Sequence, residues 1–189
     1  MENTVNLRHM RIMGLPKKDQ FQTGLLLLIH ALVYAGLVLY AKGTLNLVDL
    51  FLAIGLIAAS AKDIEVFEIP DLASLWLFVS GLGVAVWQGV NIPYVLIGVA
   101  LWFTVFFLVH TAFRWLRGYD GLGFGDVKLI AGISAWCGPI GTVYVVLGAS
   151  VTGLLILLMH LLRTNQDFQE RGVAFAPFLC LSAWVMWVF

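Results

Sequence analysis

Charged residues are scarce in this chain. They make up 12% of its 189 residues, whereas 61% are hydrophobic. A soluble domain is roughly 45–50% apolar and about 25% charged. The apolar excess excludes an ordinary soluble domain, including one with a single anchor, and indicates a polytopic membrane protein. The formal net charge is zero, which by itself carries little information about partners.

Cysteine is rarer still. The chain has 2 cysteines, Cys137 and Cys180, both in apolar surroundings, and it has no Cys-x-x-Cys motif. This pattern predicts neither a zinc site nor a disulfide framework. A signal peptide is not indicated either, because the first 20 residues are polar and the apolar run after them is too long. We predict a cytoplasmic tail over residues 1–20 and a transmembrane domain over residues 21–189.

Long apolar runs dominate the rest of the chain. A helix needs about 20 apolar residues to cross a bilayer, and the runs predict spans near 22–41, 45–61, 71–89, 93–113, 126–137, 140–162 and 173–189. The fifth is short, and Gly138-Pro139 separates it from the sixth. The sequence therefore predicts an all-α bundle of about six to seven transmembrane helices.

The distribution of Lys and Arg indicates the orientation of this bundle. With the N-terminus in the cytoplasm, all of the 11 basic residues except Lys42 lie on the cytoplasmic side: Arg8, Arg11, Lys17, Lys18, Lys62, Arg114, Arg117, Lys128, Arg163 and Arg171. The polar stretch 163–172 is then a cytoplasmic connector. The same orientation places Asp63 and Asp126 on one side of the membrane. Neither aspartate was used to determine the orientation, which rests on Lys and Arg alone.

Asp63 and Asp126 are the most informative residues, because each lies at the end of an apolar run. An ionisable side chain at such a depth is costly and indicates a functional site. Two neighbouring carboxylates do not both ionise readily, so the pair holds one proton between them, as an aspartyl protease requires. The structural alternatives are a helix N-cap for Asp126, an interfacial loop residue for Asp63 and a helix start at Pro70-Asp71.

Small residues surround both aspartates. Gly123 and Gly125 permit positive φ and the close approach of another backbone, where an extended substrate could form hydrogen bonds. Further small residues predict that the two helices bearing the aspartates pack closely: Ala58, Ala59, Ser60, Ala61, Ala131, Gly132, Ser134 and Ala135. Lys128 either adjusts the charge of Asp126 or extends to the membrane interface. For His30, His110 and His160, packed and hydrogen-bonded side chains are favoured over a proton relay.

Two motifs in this order resemble those of the type IV prepilin peptidases, which are membrane aspartyl proteases of the Gly-x-Gly-Asp class. In the first, Asp63 is followed after six residues by Pro70-Asp71. The second is Gly123-Phe124-Gly125-Asp126-Val127-Lys128-Leu129, followed by a small-residue helix that ends at Trp136-Cys137-Gly138. A weaker third element is Phe175-Ala176-Pro177-Phe178-Leu179. The resemblance covers about residues 45–185.

The resemblance implies a multi-pass protein of the bacterial inner membrane with its N-terminus in the cytoplasm. It implies cleavage of a short basic leader from prepilins or pseudopilins, just before their hydrophobic helix. Asp63 and Asp126 are the expected catalytic residues, and Gly123, Gly125, Lys128 and Pro70 are expected to support them. The expected partners are these substrates and the lipid bilayer, with no nucleic acid, no cofactor and no metal.

Two departures from the family pattern modify this expectation. Bifunctional members carry a domain with two Cys-x-x-Cys pairs and also methylate the new N-terminus, so peptidase activity alone is expected here. The loop after the first aspartate is usually basic in the family, whereas this loop is acidic. The acidic rim (Glu65, Glu68, Asp71 and Asp120) is hypothesised to attract a basic leader peptide. The alternative is solvated loop charge.

Two other functions remain open at this point. One is an intramembrane protease resembling presenilin and signal peptide peptidase, which combine Gly-x-Gly-Asp with a Tyr-Asp pair. Tyr119-Asp120 is such a pair, but it lies only six residues before Asp126 and outside a long span. The other is a transporter or assembly subunit whose aspartates carry protons or bind a partner. The absence of an internal repeat argues against a transporter.

Overall fold

The computed structural model describes residues 20–118, 121–163 and 174–189. This part of the chain consists of helices and the connections between them, which confirms the all-α prediction. The helices are α1 (Gln20–Lys42), α2 (Leu47–Val66), α3 (Asp71–Trp87), α4 (Ile92–Arg117), α5 (Phe124–Arg163) and α6 (Ala176–Val188). The basic residues of the tail, the Tyr119-Asp120 pair and residues 164–172 of the polar connector, which include Arg171, lie outside the described residues.

The helices differ in how well they suit a membrane. Within the described residues, three are long and apolar enough to cross a bilayer, over Gly24–Lys42, Ile92–Leu116 and Phe124–Met159. Helices α3 and α6 are apolar but shorter, and α2 carries four charged side chains among its 20 residues. Together they form an all-α membrane protein, whose helix number agrees with the predicted six to seven.

Helix α5 contains a kink at its centre. Its apolar part has 36 residues, which at 1.5 Å per residue would exceed the roughly 30 Å of a bilayer core by far. Gly138 interrupts the helix with φ 67° and ψ 177°, a conformation that favours glycine, and Pro139 follows it. The predicted separation of the fifth and sixth spans is therefore confirmed, as two helical segments that meet at a kink.

Helix α5 occupies the centre of the bundle, against α3, α4 and α6, while α6 also packs on α2. The large side chains that are fully buried come from several of these helices: Leu52, Leu56, Leu77, Leu129, Ile130, Ile133 and Trp184. Aromatic N–H groups join the helices through hydrogen bonds. The indole of Trp136 donates to the carbonyl of Leu77 at 2.8 Å, and that of Trp102 donates to Pro139 at 2.9 Å.

The predicted close packing between the two helices that bear the aspartates is wrong. In the described residues α2 and α5 share no extended contact, and both instead pack against α3 and α6. The small residues of α5 serve those other neighbours. A Cβ atom on Gly132 would lie 2.9 Å from the carbonyl oxygen of Ser74 on α3. The small side chains of α5 therefore permit the approach of a third helix, α3, which also packs against α2.

Candidate active site

Asp63 lies in the last turn of α2, and the end of that helix positions it. The chain leaves the helix at Phe67, which adopts a left-handed conformation with φ 55°. The N–H of Phe67 donates to the carbonyl of Asp63 at 3.0 Å, so the backbone at Asp63 is fixed by the helix cap. The side chain is buried, with 6% of its residue surface exposed. Oδ2 accepts a hydrogen bond from the N–H of Ala176 at 3.0 Å.

Ala176 is the first residue of α6, so Asp63 occupies the N-terminus of that helix. The first N–H groups of a helix have no partner within the helix. The partial positive charge of the helix end also favours a negative side chain. The contact between Asp63 and Ala176 therefore satisfies an orphan donor and stabilises a carboxylate at once.

Asp126 lies in the first turn of α5. Its N–H donates to the carbonyl of Gly123 at 3.1 Å, which agrees with a residue at a helix start. The side chain is buried, with 8% exposed, and its Oδ1 atom has no hydrogen-bond partner. A buried carboxyl oxygen without a partner is costly and is a feature of reactive groups rather than of structural ones.

Gly123 and Gly125 matter because they leave room for neighbouring atoms, and not because they adopt unusual backbone angles. Neither is among the glycines with positive φ, so the freedom of glycine to adopt such angles is not used there. The atoms that approach them belong to side chains and not to another backbone: a Cβ atom on Gly125 would lie 3.0 Å from the Cβ of Ile69, and one on Gly123 would lie 3.3 Å from Oδ2 of Asp126. Ile69 immediately precedes Pro70, so the two sequence motifs touch each other.

The structure brings the two aspartates into one site. The charge of Asp63 acts on Asp126, and Cys180 of α6 lies within the field of both. Cys180 is fully buried and contacts the backbone of Ser60, one turn before Asp63. The site therefore consists of two buried carboxyl groups, with α6 packed against Asp63.

Lys128 and Pro70 lie at the edge of this site. The ammonium of Lys128 pairs with the carboxylate of Asp71, and it lies 5.4 Å from the ring centre of Phe124. Lys128 therefore joins the first turn of α5 to the first turn of α3, and the structure gives it no bond to Asp126. Pro70 precedes α3, and its carbonyl accepts the N–H of Ala73 at 3.0 Å, as predicted for a helix start.

The acidic rim is only partly free to meet a substrate. Glu65 pairs with Lys62 at 2.8 Å, Glu68 is exposed, and the side chain of Asp71 is 82% exposed although it pairs with Lys128. Asp120 lies outside the described residues. Glu68 is thus the side chain on which the predicted attraction of a basic peptide depends most.

The two described histidine side chains are hydrogen-bonded, which confirms the favoured interpretation. Nδ1 of His110 lies 2.6 Å from the carbonyl of Leu122, next to the Gly-x-Gly segment. His30 makes bonds with both ring nitrogens, at 2.8 Å to the carbonyl of Leu26 and at 2.9 Å to the hydroxyl of Ser60. The side chain of His160 lies outside the described residues.

Ala176, Ser60 and Cys180 were not assigned to the site from the sequence. A signal existed for Ala176 alone, in the weak third element, Phe175 to Leu179, whose first helical N–H is the partner of Asp63. Among the described residues, no group of three or more His, Cys, Asp or Glu side chains converges as a metal site would require.

Comparison with known proteins shows which family the chain is similar to. Residues 50–158 match the model of the type IV leader peptidase family. A protein of Burkholderia pseudomallei named prepilin leader peptidase/N-methyltransferase is 33% identical over 150 residues, which are 79% of this chain and 48% of the relative. Proteins of the same name from Aeromonas hydrophila and Xanthomonas campestris pv. campestris are 30% and 31% identical, over 77% and 69% of this chain and 50% and 46% of theirs.

The chain thus spans about half the length of the curated relatives it matches. No solved structure matches it significantly. The matched region contains both aspartates but ends before α6, which supplies the partner of Asp63.

Proposed function

Because the chain belongs to the type IV leader peptidase family, we propose that it is an aspartic endopeptidase that removes the leader peptide of prepilins or pseudopilins. The observation that supports this activity best is the pair of buried carboxyl groups, Asp63 and Asp126, which the fold brings together from separate helices. The proposal concerns the peptidase activity alone.

We assign the ionised state to Asp63. Its Oδ2 atom accepts from a backbone N–H, which can only donate, at the positive end of α6. Asp126 holds the proton in this assignment: the backbone of Gly123 bonds its carboxyl group, but its Oδ1 is buried without a partner and the charge of Asp63 acts on it. The first turn of α5 also favours negative charge on Asp126, but it supplies no donor to Oδ1. A proton there removes an uncompensated buried charge.

These states define the chemistry. Asp63 takes a proton from the attacking water while Asp126 transfers its proton to the oxygen of the scissile carbonyl, and a tetrahedral diol forms. When the diol collapses, the C–N bond breaks and Asp63 passes its proton to the leaving nitrogen. Asp126 recovers a proton from one diol hydroxyl, which becomes the carbonyl of the new carboxyl group. The dyad then returns to its starting state.

An apolar groove next to Pro70 suits side chains of the hydrophobic helix that follows the leader in the proposed substrates. The groove has a volume of about 220 Å³ and lies between α2 and α3, and its lining is Ile54, Gly55, Ala58, Pro70, Leu72, Ala73 and Trp76. Pro70 belongs to the first motif, so the groove ends beside the loop that follows Asp63. A helix seated there would enter the site from the membrane side.

We also propose that the dyad faces the cytoplasm, in the inner membrane of a bacterium. Helices α1 and α2 are joined by a short connection between Lys42 and Leu47, so Lys42 lies at the end of α2 opposite to Asp63. Lys62 and Lys128 lie at the dyad end. This division supports a cytoplasmic dyad under the rule that positive residues stay inside.

The test is cleavage of a candidate prepilin in membranes by the wild type and by Asp63→Asn and Asp126→Asn. Both substitutions preserve the shape and remove the acid, and both are expected to abolish cleavage. Asp49→Asn is the matched control, because Asp49 is also buried on α2 but lies about 20 Å from Asp63 along the helix. Two inserted, folded variants that still cleave would show that the aspartates are structural.

A further inference from the structure

His30 of α1 is held in one defined state by its two hydrogen bonds. Nδ1 lies 2.8 Å from the carbonyl oxygen of Leu26. Because a carbonyl only accepts, Nδ1 carries the ring hydrogen. In the neutral ring, the lone pair of Nε2 then accepts the hydroxyl of Ser60, 2.9 Å away on α2. The ring thus connects α1 to α2 with a fixed direction for each bond.

Ser60 lies on the same face of α2 as Asp63, one turn earlier, and it is fully buried. Both residues contact α6. Asp63 accepts from Ala176, and the backbone of Ser60 contacts Cys180, one turn further along α6. The last turns of α2 therefore contact α6 through two residues, Ser60 and Asp63, and the side chain of Ser60 also contacts His30 of α1.

A second contact fixes His30 relative to α6. Tyr34, one turn after His30, stacks on Trp184 with ring centres 4.7 Å apart and planes within 11°. The indole of Trp184 donates to the carbonyl of Tyr34 at 3.1 Å. Since α1 is fixed to α6 at Tyr34, the hydrogen bond from Ser60 to His30 fixes α2 relative to both helices.

We propose that His30 is a positioning residue for peptide hydrolysis, which accepts the hydroxyl of Ser60 and thereby holds the turn of α2 that presents Asp63. This inference rests on the proposed peptidase function. His30 lies outside the family-matched region of residues 50–158. Small displacements of a catalytic group are costly, because the reacting atoms must meet at the correct distance and angle.

The experiment compares His30→Leu with His30→Gln in the same cleavage assay. The two replacements have similar volumes, but only the Gln side chain offers an oxygen near the position of Nε2 that can accept from Ser60. We expect kcat to fall between about tenfold and a hundredfold in His30→Leu, with KM little changed, and to recover most of the loss in His30→Gln. Leu32→Ala, at an exposed position of α1, is the control and is expected to match the wild type.

Ser60→Ala removes the same hydrogen bond from the other side and keeps the test valid if His30→Leu does not fold. We expect it to lower kcat by the same factor, and the double variant to be no slower than either single variant. Additive losses, or a His30→Gln variant as slow as His30→Leu, would show that His30 contributes only by packing. A wild type that cleaves while His30→Leu and Ser60→Ala match it overturns this inference alone. A wild type that cleaves no prepilin overturns the proposed function as well.

Discussion

The Oδ2 atom of Asp63 accepts a hydrogen bond at 3.0 Å from the N–H of Ala176, a residue that lies 113 positions further along the chain. This bond joins the end of α2 to the beginning of α6. It gives one residue two separable roles, since the amide needs any acceptor, whereas the proposed reaction needs an ionisable acid. The two roles predict different effects for different substitutions at the same position.

Asp63→Ala is expected to lower stability more than Asp63→Asn, although both abolish the proposed activity. Alanine leaves the buried N–H of Ala176 without an acceptor, which costs about 1–3 kcal/mol, whereas the amide oxygen of Asn can still accept. Thermal unfolding in detergent measures the difference. Asp126→Asn is the comparison, and it is expected to keep or raise the unfolding temperature, because Oδ1 of Asp126 has no partner to lose and the amide oxygen of Asn can still accept from the backbone of Gly123. Equal stability of Asp63→Ala and Asp63→Asn would contradict a structural role for the bond.

Gly125→Ala is expected to disrupt the contact between the two motifs. The new Cβ would lie 3.0 Å from the Cβ of Ile69, so the loop before α3 must shift, at a cost of about 1–3 kcal/mol. The rate of cleavage is also expected to fall, because Ile69 belongs to the motif that begins at Asp63 and Gly125 directly precedes Asp126. Gly83→Ala is the matched control, since nothing lies within 4 Å of its Cβ position on α3. If Gly125→Ala unfolds and cleaves as Gly83→Ala does, the contact has no such role.

Tyr34→Phe is expected to leave stability unchanged or to raise it by up to about 1 kcal/mol. The hydroxyl of Tyr34 is buried without a hydrogen-bond partner, while the stack on Trp184 needs only the ring. The unfolding temperature in detergent reports the change. Tyr40→Phe on the same helix, at a position that is 84% exposed, is the control and is expected to have no effect. A lower unfolding temperature for Tyr34→Phe would mean that its hydroxyl has a partner.

Glu68→Lys is expected to slow the cleavage of a basic leader by about twofold to tenfold at low salt, with a smaller difference at high salt. Glu68 is exposed, whereas the charge of Glu65 is offset by Lys62. The larger effect is therefore expected at Glu68. The measurement is kcat/KM as a function of ionic strength, and a substrate with a neutral leader is the control. An unchanged rate and salt dependence after charge reversal at both glutamates would leave the acidic rim as solvated loop charge.

Much of the site followed from the order and spacing of residues. A carboxylate at the end of an apolar run is so costly that it predicts a function wherever it occurs, and this reasoning identified Asp63 and Asp126. The break at Gly138-Pro139 was equally predictable, because a positive φ and a missing N–H are local properties. Helix type and the positions of chain reversals depend on neighbours in the sequence, so they could be predicted without the fold.

Other features depend on which helices become neighbours. Stripes of small residues predict that a helix packs closely against a neighbour, but they do not identify the neighbouring helix. For that reason the expected contact of α2 with α5 was wrong. The same limit applies to Lys128, whose nearest acid along the chain is Asp126 but whose partner in space is Asp71. The flexible side chain of Lys128 forms an ion pair with an acid that is near it in the folded structure, which need not be the nearest acid in the sequence.

The sequence by itself determined that this is a helical membrane protein with two aspartates at the ends of apolar runs, because hydrophobicity and the cost of buried charge act residue by residue. Only the tertiary structure decided that α6 provides the donor to Asp63, that α3 and α6 pack against both of the helices that bear the aspartates, and that His30 reaches Ser60. Those contacts join residues far apart in the chain. Their energy depends on distances that exist only after the helices have packed.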